Sequence, residues 1–180
     1  MTGADLGAKT GIWEFALRFY GMPGVSAACL TLQDEADVDV VHVIAIVYAD
    51  WTDRPLGTDG IRRLRTAMAE WRAKTVLPLR SVRRFLKAPQ EDLDAEKEEL
   101  RHAVKAAELK AEQVQLNIAE NCLSELEAQA KLPLAQALTE LLSLSPNVAS
   151  TGDVIRDAVK TIASARMKIE PPRSDVGARS

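Results

Sequence analysis

Apolar positions recur at helical spacing through most of the chain, and the breaks between them fall at proline and glycine. Ile12, Phe15, Ala16 and Phe19 predict a first helix over Ile12–Tyr20, with Thr10 as its N-cap. The Gly21-Met22-Pro23-Gly24 cluster stops it. Val25, Ala28, Cys29 and Leu32 then mark a second helix over Val25–Gln33. Residues 1–9 carry no such pattern and read as a flexible leader.

The run from Val38 to Tyr48 is rich in β-branched residues, and its local preference is strand. No second run of this kind is present to pair with it. A lone strand would leave its backbone groups without partners. The run is therefore expected to be a buried central helix, apolar nearly all round, despite its propensity penalty.

Thr58 fits the N-cap of a helix reaching about Val76, with Ile61, Leu64, Met68 and Trp71 as its buried stripe. Pro78 suits the start of a short helix to Ala88, with Leu79, Val82, Phe85 and Leu86 inward. The longest helix is expected from about Glu91 to Leu132. Leu93, Leu100, Ala107 and Val114 repeat every seven residues along it, beside Val104, Ala111 and Ile118. A second seam through Leu116, Leu123 and Ala130 needs cover, or else offers a surface for a homodimer or another partner. Pro133–Leu144 and a helix over Gly152–Met167, capped by Thr151, can supply part of that cover. The expected fold is all-α: a multi-helix bundle with one long helix and a helical appendage. Its expected partition is a leader (1–9), a core domain (10–132), a C-terminal extension (133–168) and a disordered tail (169–180).

Composition adds exclusions rather than a function. The 180 residues are 47% hydrophobic and 27% charged, the balance of an ordinary globule. The longest apolar stretch, Val40–Ala49, is about half of what a membrane helix needs, so no membrane association is expected. Met1–Thr10 shows no secretory pattern, which points to the cytoplasm and to reduced cysteines. Cys29, Cys122, His42 and His102 form no close-spaced ligand set, and no phosphate loop, nucleophile elbow or dinucleotide fingerprint appears. No metal, cofactor or catalytic residue is expected. His42 and Cys29 fit core positions better than a ligand pair, and Trp13, Phe15, Phe19 and Tyr20 fit the core better than a pocket.

Charge is the unusual feature. Residues 1–53 carry 2 basic and 8 acidic side chains, residues 54–87 carry 10 and 2, and residues 88–180 carry 11 and 16. These blocks sum to −6, +8 and −5, which gives the net −3 of the whole chain. Arg80, Arg84 and Lys87 share one helical face, and guanidinium forks on such a face grip carboxylates or phosphates. Candidate binding residues are Arg72, Arg80, Arg83, Arg84 and Lys87, with Gln33, Asp34 and Asp39 from the acidic loop. The bland alternative is internal pairing. In that reading Asp39 caps the central helix, and the arginines meet Asp34 or the acidic start of the long helix at Glu91, Asp92, Asp94 and Glu96.

Several stretches taken in order resemble one family. They are Trp13-x-Phe15, Tyr20 followed by Pro23-Gly24-Val25, and Ala28-Cys29-Leu30-x-Leu32-Gln33-Asp34 with Asp39-Val40. Trp71-Arg72, Pro78-Leu79-Arg80, Arg83-Arg84-x-Leu86-Lys87 and Ala107-Glu108-Leu109-x-Ala111-Glu112 continue the pattern. Over about Ile12–Ala119 the chain resembles an uncharacterised proteobacterial family with no accepted activity. The resemblance implies an all-helical cytosolic protein and transfers no site. One departure is Val41, where the family pattern Asp-Val-Asn has asparagine.

The expected function is a non-catalytic protein-interaction or regulatory module with a protein partner. Two alternatives stay open. One is a binder or enzyme holding an anionic small molecule between Asp34 or Asp39 and the arginines. The other is a nucleic-acid-binding regulator using the Arg62–Lys87 surface. Nucleic acid is disfavoured because the chain is acidic overall and its basic block offers few rings for stacking.

Overall fold

The buried run that prefers strand is a helix. The computed structural model describes residues 11–88, 94–127, 131–145 and 152–172, and among these every regular element is helical. They divide into two compact units. One holds the residues up to Thr58 together with those from Lys131 onward, and the other holds Asp59–Glu127.

The first unit is built around Val40–Trp51 (α3, numbered in chain order after α1, Ile12–Tyr20, and α2, Val25–Ala36). Every residue of α3 from Val41 to Ala49 is buried. Burying a Val or Ile side chain is worth roughly 1.5–3 kcal/mol. The helix penalty for such residues is at most about 0.7 kcal/mol each, so burial decides the conformation. Asp39 caps α3 as expected, its Oδ1 accepting from the Val41 N–H at 3.1 Å. The helix therefore starts at Val40 rather than Val38.

Two further helices complete this unit, α7 (Leu134–Ser143) and α8 (Asp153–Met167). α8 packs on α2, and α7 on α3. The residues beyond 133 thus fold with the N-terminal helices instead of extending a core over 10–132. Gly24, at φ +81°, starts α2 in the left-handed region, and a Cβ there would sit 3.3 Å from Thr161 Cγ2 of α8. Phe15 stacks on Phe19 and on Trp51, with Tyr48 tilted beside them.

The C-terminal end of α8 is clamped to α3. Arg166 lies 2.8 Å from the Asp50 carboxylate and also donates to the Asp50 carbonyl. The Trp51 indole N–H donates to the Glu170 carbonyl at 2.7 Å, and Ile169 is buried. The first two residues of the expected tail, Ile169 and Glu170, are thus held against α3. A buried indole N–H needs an acceptor, and the segment after α8 supplies it. The N-caps of α1 and α8 are Gly11 and Gly152, with no side-chain cap, rather than the expected Thr10 and Thr151; those two threonines lie outside the described residues, as do 1–9 and 173–180.

The second unit has two long arms. α4 (Thr58–Trp71) passes through a π-helical segment, Arg72–Val76, directly into α5 (Leu77–Phe85). Pro78 was expected to begin a separate helix, because its ring clashes with the carbonyl four residues back and its nitrogen donates nothing. Instead the Leu77 N–H reaches the Arg72 carbonyl, five residues back. The wider π turn lets the chain pass a proline without breaking. The second arm is α6 (Asp94–Glu125), 32 residues and about 48 Å long. α5 and the π segment both pack on α6.

Candidate functional site

α5 reverses its expected amphipathic pattern at Arg80, Val82 and Phe85 and keeps it at Leu86 and Arg84. Leu79, Val82, Phe85 and Leu86 were expected inward, with Arg80 and Arg84 outward. Leu86 is buried and Leu79 half-buried, but Val82 is 44% exposed and Phe85 75% exposed. Leu77, at 37%, joins them outside, whereas Arg80 is only 8% exposed. Helical geometry accounts for the grouping. At about 100° per residue, Leu77, Phe85 and Val82 fall within an arc of roughly 140°. Arg80, Arg83 and Leu86 occupy the opposite side.

Two carboxylates of α6 turn the arginines inward. Arg80 donates from Nε to Glu108 Oε1 at 2.8 Å and from a terminal nitrogen to Glu112 Oε1 at 2.6 Å. Arg83 binds both oxygens of the same Glu108 carboxylate. The i, i+3 spacing of the arginines meets the i, i+4 spacing of the glutamates across the two helices. Their aliphatic stems fill the contact, while the charged heads satisfy one another. Burial would raise the pKa of Glu108, but Arg83 and Arg80 outweigh it and hold the carboxyl below its ordinary value. Burial likewise opposes the Arg80 charge, yet Glu108 and Glu112 hold its pKa above the usual guanidinium value.

Glu108 and Glu112, which hold Arg80 and Arg83, come from the middle of the long helix and were not among the expected partners. Of the acidic start of that helix, Glu91 and Asp92 lie outside the described residues. Glu108 and Glu112 lie inside the family-like stretch, and their spacing beside Arg80 and Arg83 was the signal that could have found them. Around the cluster, the Trp71 indole N–H donates to the Ala111 carbonyl at 2.9 Å. Trp71 is half-buried rather than fully buried. Fully buried Gln115 reaches the Met68 sulfur, and Lys97 donates to the Ala88 carbonyl just past α5.

The other candidates fall elsewhere. Arg72 is half-buried in the π segment, and Arg84 and Lys87 are exposed. Gln33, Asp34 and Asp39 belong to the first unit, where Gln33 donates to the exposed Asp34 at 3.4 Å and Asp39 caps α3. Asp37 closes α2 in the left-handed region at φ +51°, which a short polar side chain tolerates. The acidic loop is thus committed at both ends to helix termination. Buried Cys29 has its thiol pushed up to about 12 by desolvation. Among the described residues no three His, Cys, Asp or Glu side chains gather as a metal ion would need, and no helix is long and apolar enough to cross a membrane.

Comparison with known proteins gives one match. The profile of a family described as "Protein of unknown function (DUF2390)" covers residues 11–119, more than half of the chain. The chain belongs to this family. No curated protein and no solved structure matches it. The DUF2390 match takes in α1–α5 and most of α6, and so includes the Arg80–Glu108–Arg83–Glu112 cluster and the outward face of α5. α7 and α8 of this DUF2390 protein lie beyond it.

Proposed function

We propose that this protein is a non-catalytic helical interaction module of the bacterial cytoplasm, and that the outward face of α5 is its working surface. The observation that carries the reading is the inversion of α5. Arg80 is buried and Arg83 half-buried on glutamates, while Leu77, Val82 and Phe85 are left in water. Folding alone favours the reverse arrangement, since exposing a phenylalanine gives up roughly 1.5–3 kcal/mol of burial. A surface that binds another protein recovers that loss on association, and exposed aromatic residues are the common anchors of such surfaces. The same inversion argues against an anionic ligand on Arg80 and Arg83, because Glu108 already occupies both guanidiniums.

The test is site-specific crosslinking in the native host. A photoreactive phenylalanine analogue replaces Phe85, with a control at exposed Lys160 on α8. A discrete protein adduct from position 85 and none from position 160 is expected. No protein adduct from position 85, or the same adducts from both positions, contradicts the reading.

A further inference from the structure

The long helix has an open flank whose charges are complementary to themselves when the helix is reversed. We infer that two copies of the chain pair through α6, antiparallel, about a two-fold axis at Ala103. This surface is separate from the outward side of α5, and the pairing does not depend on the reading of that side.

The seam of α6 that was expected to need cover has it, since Leu116 and Leu123 are buried. What stays open is the N-terminal part of the seven-residue row. Leu100 is 52% exposed, Ala103 and Ala107 are exposed, and Val104 is half-buried. At about 100° per residue these four fall within an arc of roughly 100°. Glu108 and Glu112 mark the side of α6 that α5 covers, and they stand about a third of a turn away from the row. The row therefore lies on the flank of α6, beside α5 and not beneath it. Leu100, Val104, Ala107 and Ala111 alternate steps of four and three residues, the spacing of a coiled-coil seam. Such a seam fits another helix laid along it.

Charge selects a second copy as that helix. Along the margin of the row away from α5, Glu96, Ala103 and Lys110 follow in heptad steps, and all three are exposed. Glu96 and Lys110 thus stand equally far on either side of Ala103 and carry opposite charge. When two such helices run antiparallel about Ala103, Glu96 of each copy meets Lys110 of the other, and Leu100 of each lies beside Val104 of the other. Two ion pairs then flank one apolar centre. Lys110 gives up for this only a hydrogen bond to the neutral Gln113 amide of its own helix, at 2.8 Å. Parallel pairing would set Glu96 on Glu96 and Lys110 on Lys110, and like charges face to face suppress an arrangement. A margin that becomes its own complement on reversal is what an isologous two-fold interface requires. An unrelated partner imposes no such symmetry on this chain.

Sedimentation velocity of the purified full chain, from a few to a few hundred micromolar, tests this. The mass should rise from the 19.7 kDa monomer toward twice that value. Glu96→Lys and Lys110→Glu should each weaken the dimer at least tenfold, by setting like charges opposite one another. An equimolar mixture of these two variants should associate as the wild type does, because each copy then supplies the charge that the other lacks. Leu100→Gln should weaken the dimer at least fivefold, and Phe85→Ser should leave it unchanged. Orientation is read with a short bis-maleimide: Ala103→Cys should be joined to itself, and Glu96→Cys should be joined only when mixed with Lys110→Cys, each above the wild-type background. All these positions are exposed, and each variant is checked for an unchanged circular dichroism spectrum. A chain that stays monomeric over the whole range overturns the inference. So does a dimer that the charge variants leave intact, self-linking of Glu96→Cys, or a dimer that Phe85→Ser dissociates. Absence of the dimer with the position-85 adduct retained removes only this inference, and loss of that adduct with the dimer retained removes only the α5 reading.

Discussion

Glu108→Gln is the substitution that most sharply probes why α5 is inverted. Glutamine keeps the shape of the side chain, so no cavity opens, but it removes the charge that holds two arginines. Breaking a fully buried ion pair costs about 3–5 kcal/mol, because one charge is left uncompensated. Two features of this cluster lower that figure. Arg80 keeps Glu112 at 2.6 Å, and Arg83 is 28% exposed, so water can solvate it. The expected loss is therefore about 2–3 kcal/mol at neutral pH. It should be confined to the second unit and read by hydrogen exchange of α5 and α6 peptides in rising urea. The pH dependence carries a sign. A carboxyl whose folded pKa is depressed stabilises the fold above its unfolded value and loses that contribution as pH falls through the folded one. The wild-type advantage over Glu108→Gln should thus be complete at pH 7. It should begin to shrink as pH drops below the ordinary value of 4.5 and continue to shrink through the lower folded value. A loss under about 0.5 kcal/mol at pH 7, the range of an ordinary surface substitution, would refute the view that this cluster fixes the face of α5.

Gly24→Ala should destabilise the first unit by about 1–2 kcal/mol, from the left-handed backbone and the Thr161 contact; thermal melting that matches wild type would contradict this. Truncation after Lys168 removes buried Ile169 and the acceptor of the Trp51 indole, and should cost about 3 kcal/mol in urea unfolding. Trp71→Ala should cost about 2–4 kcal/mol, below the cost of truncating a fully buried tryptophan because Trp71 is half-buried; a melting temperature within a degree or two of wild type would place it outside the packed interior.

How far the fold was legible depended on whether a pattern had one physical solution. α1 was readable to the residue because its apolar stripe ends in a glycine–proline cluster. α3 was readable because a lone strand has no partners, so burial had to override β-propensity. Pro78 misled the reading, since nothing in one sequence distinguishes a helix start from a proline carried by a π turn. α5 misled it more deeply. Amphipathic spacing assigns Val82 and Phe85 inward by default, and only the facing glutamates at 108 and 112 reverse that default. The basic block was visible as composition, but the division of its arginines between Glu108 and the surface depends on packing across α5 and α6. The tail after α8 was read from its prolines and charges, while the hold on Glu170 comes from Trp51, more than a hundred residues earlier.

The claim on which the account turns is that Phe85 contributes little to folding and stays in water. Thermal and urea unfolding of purified Phe85→Ser measures this directly. The account predicts stability within about 0.5 kcal/mol of wild type, as for a surface substitution. A loss of about 3 kcal/mol or more, the cost of truncating a core phenylalanine, would show that the ring is packed inside, and the outward face of α5 would no longer be a binding surface.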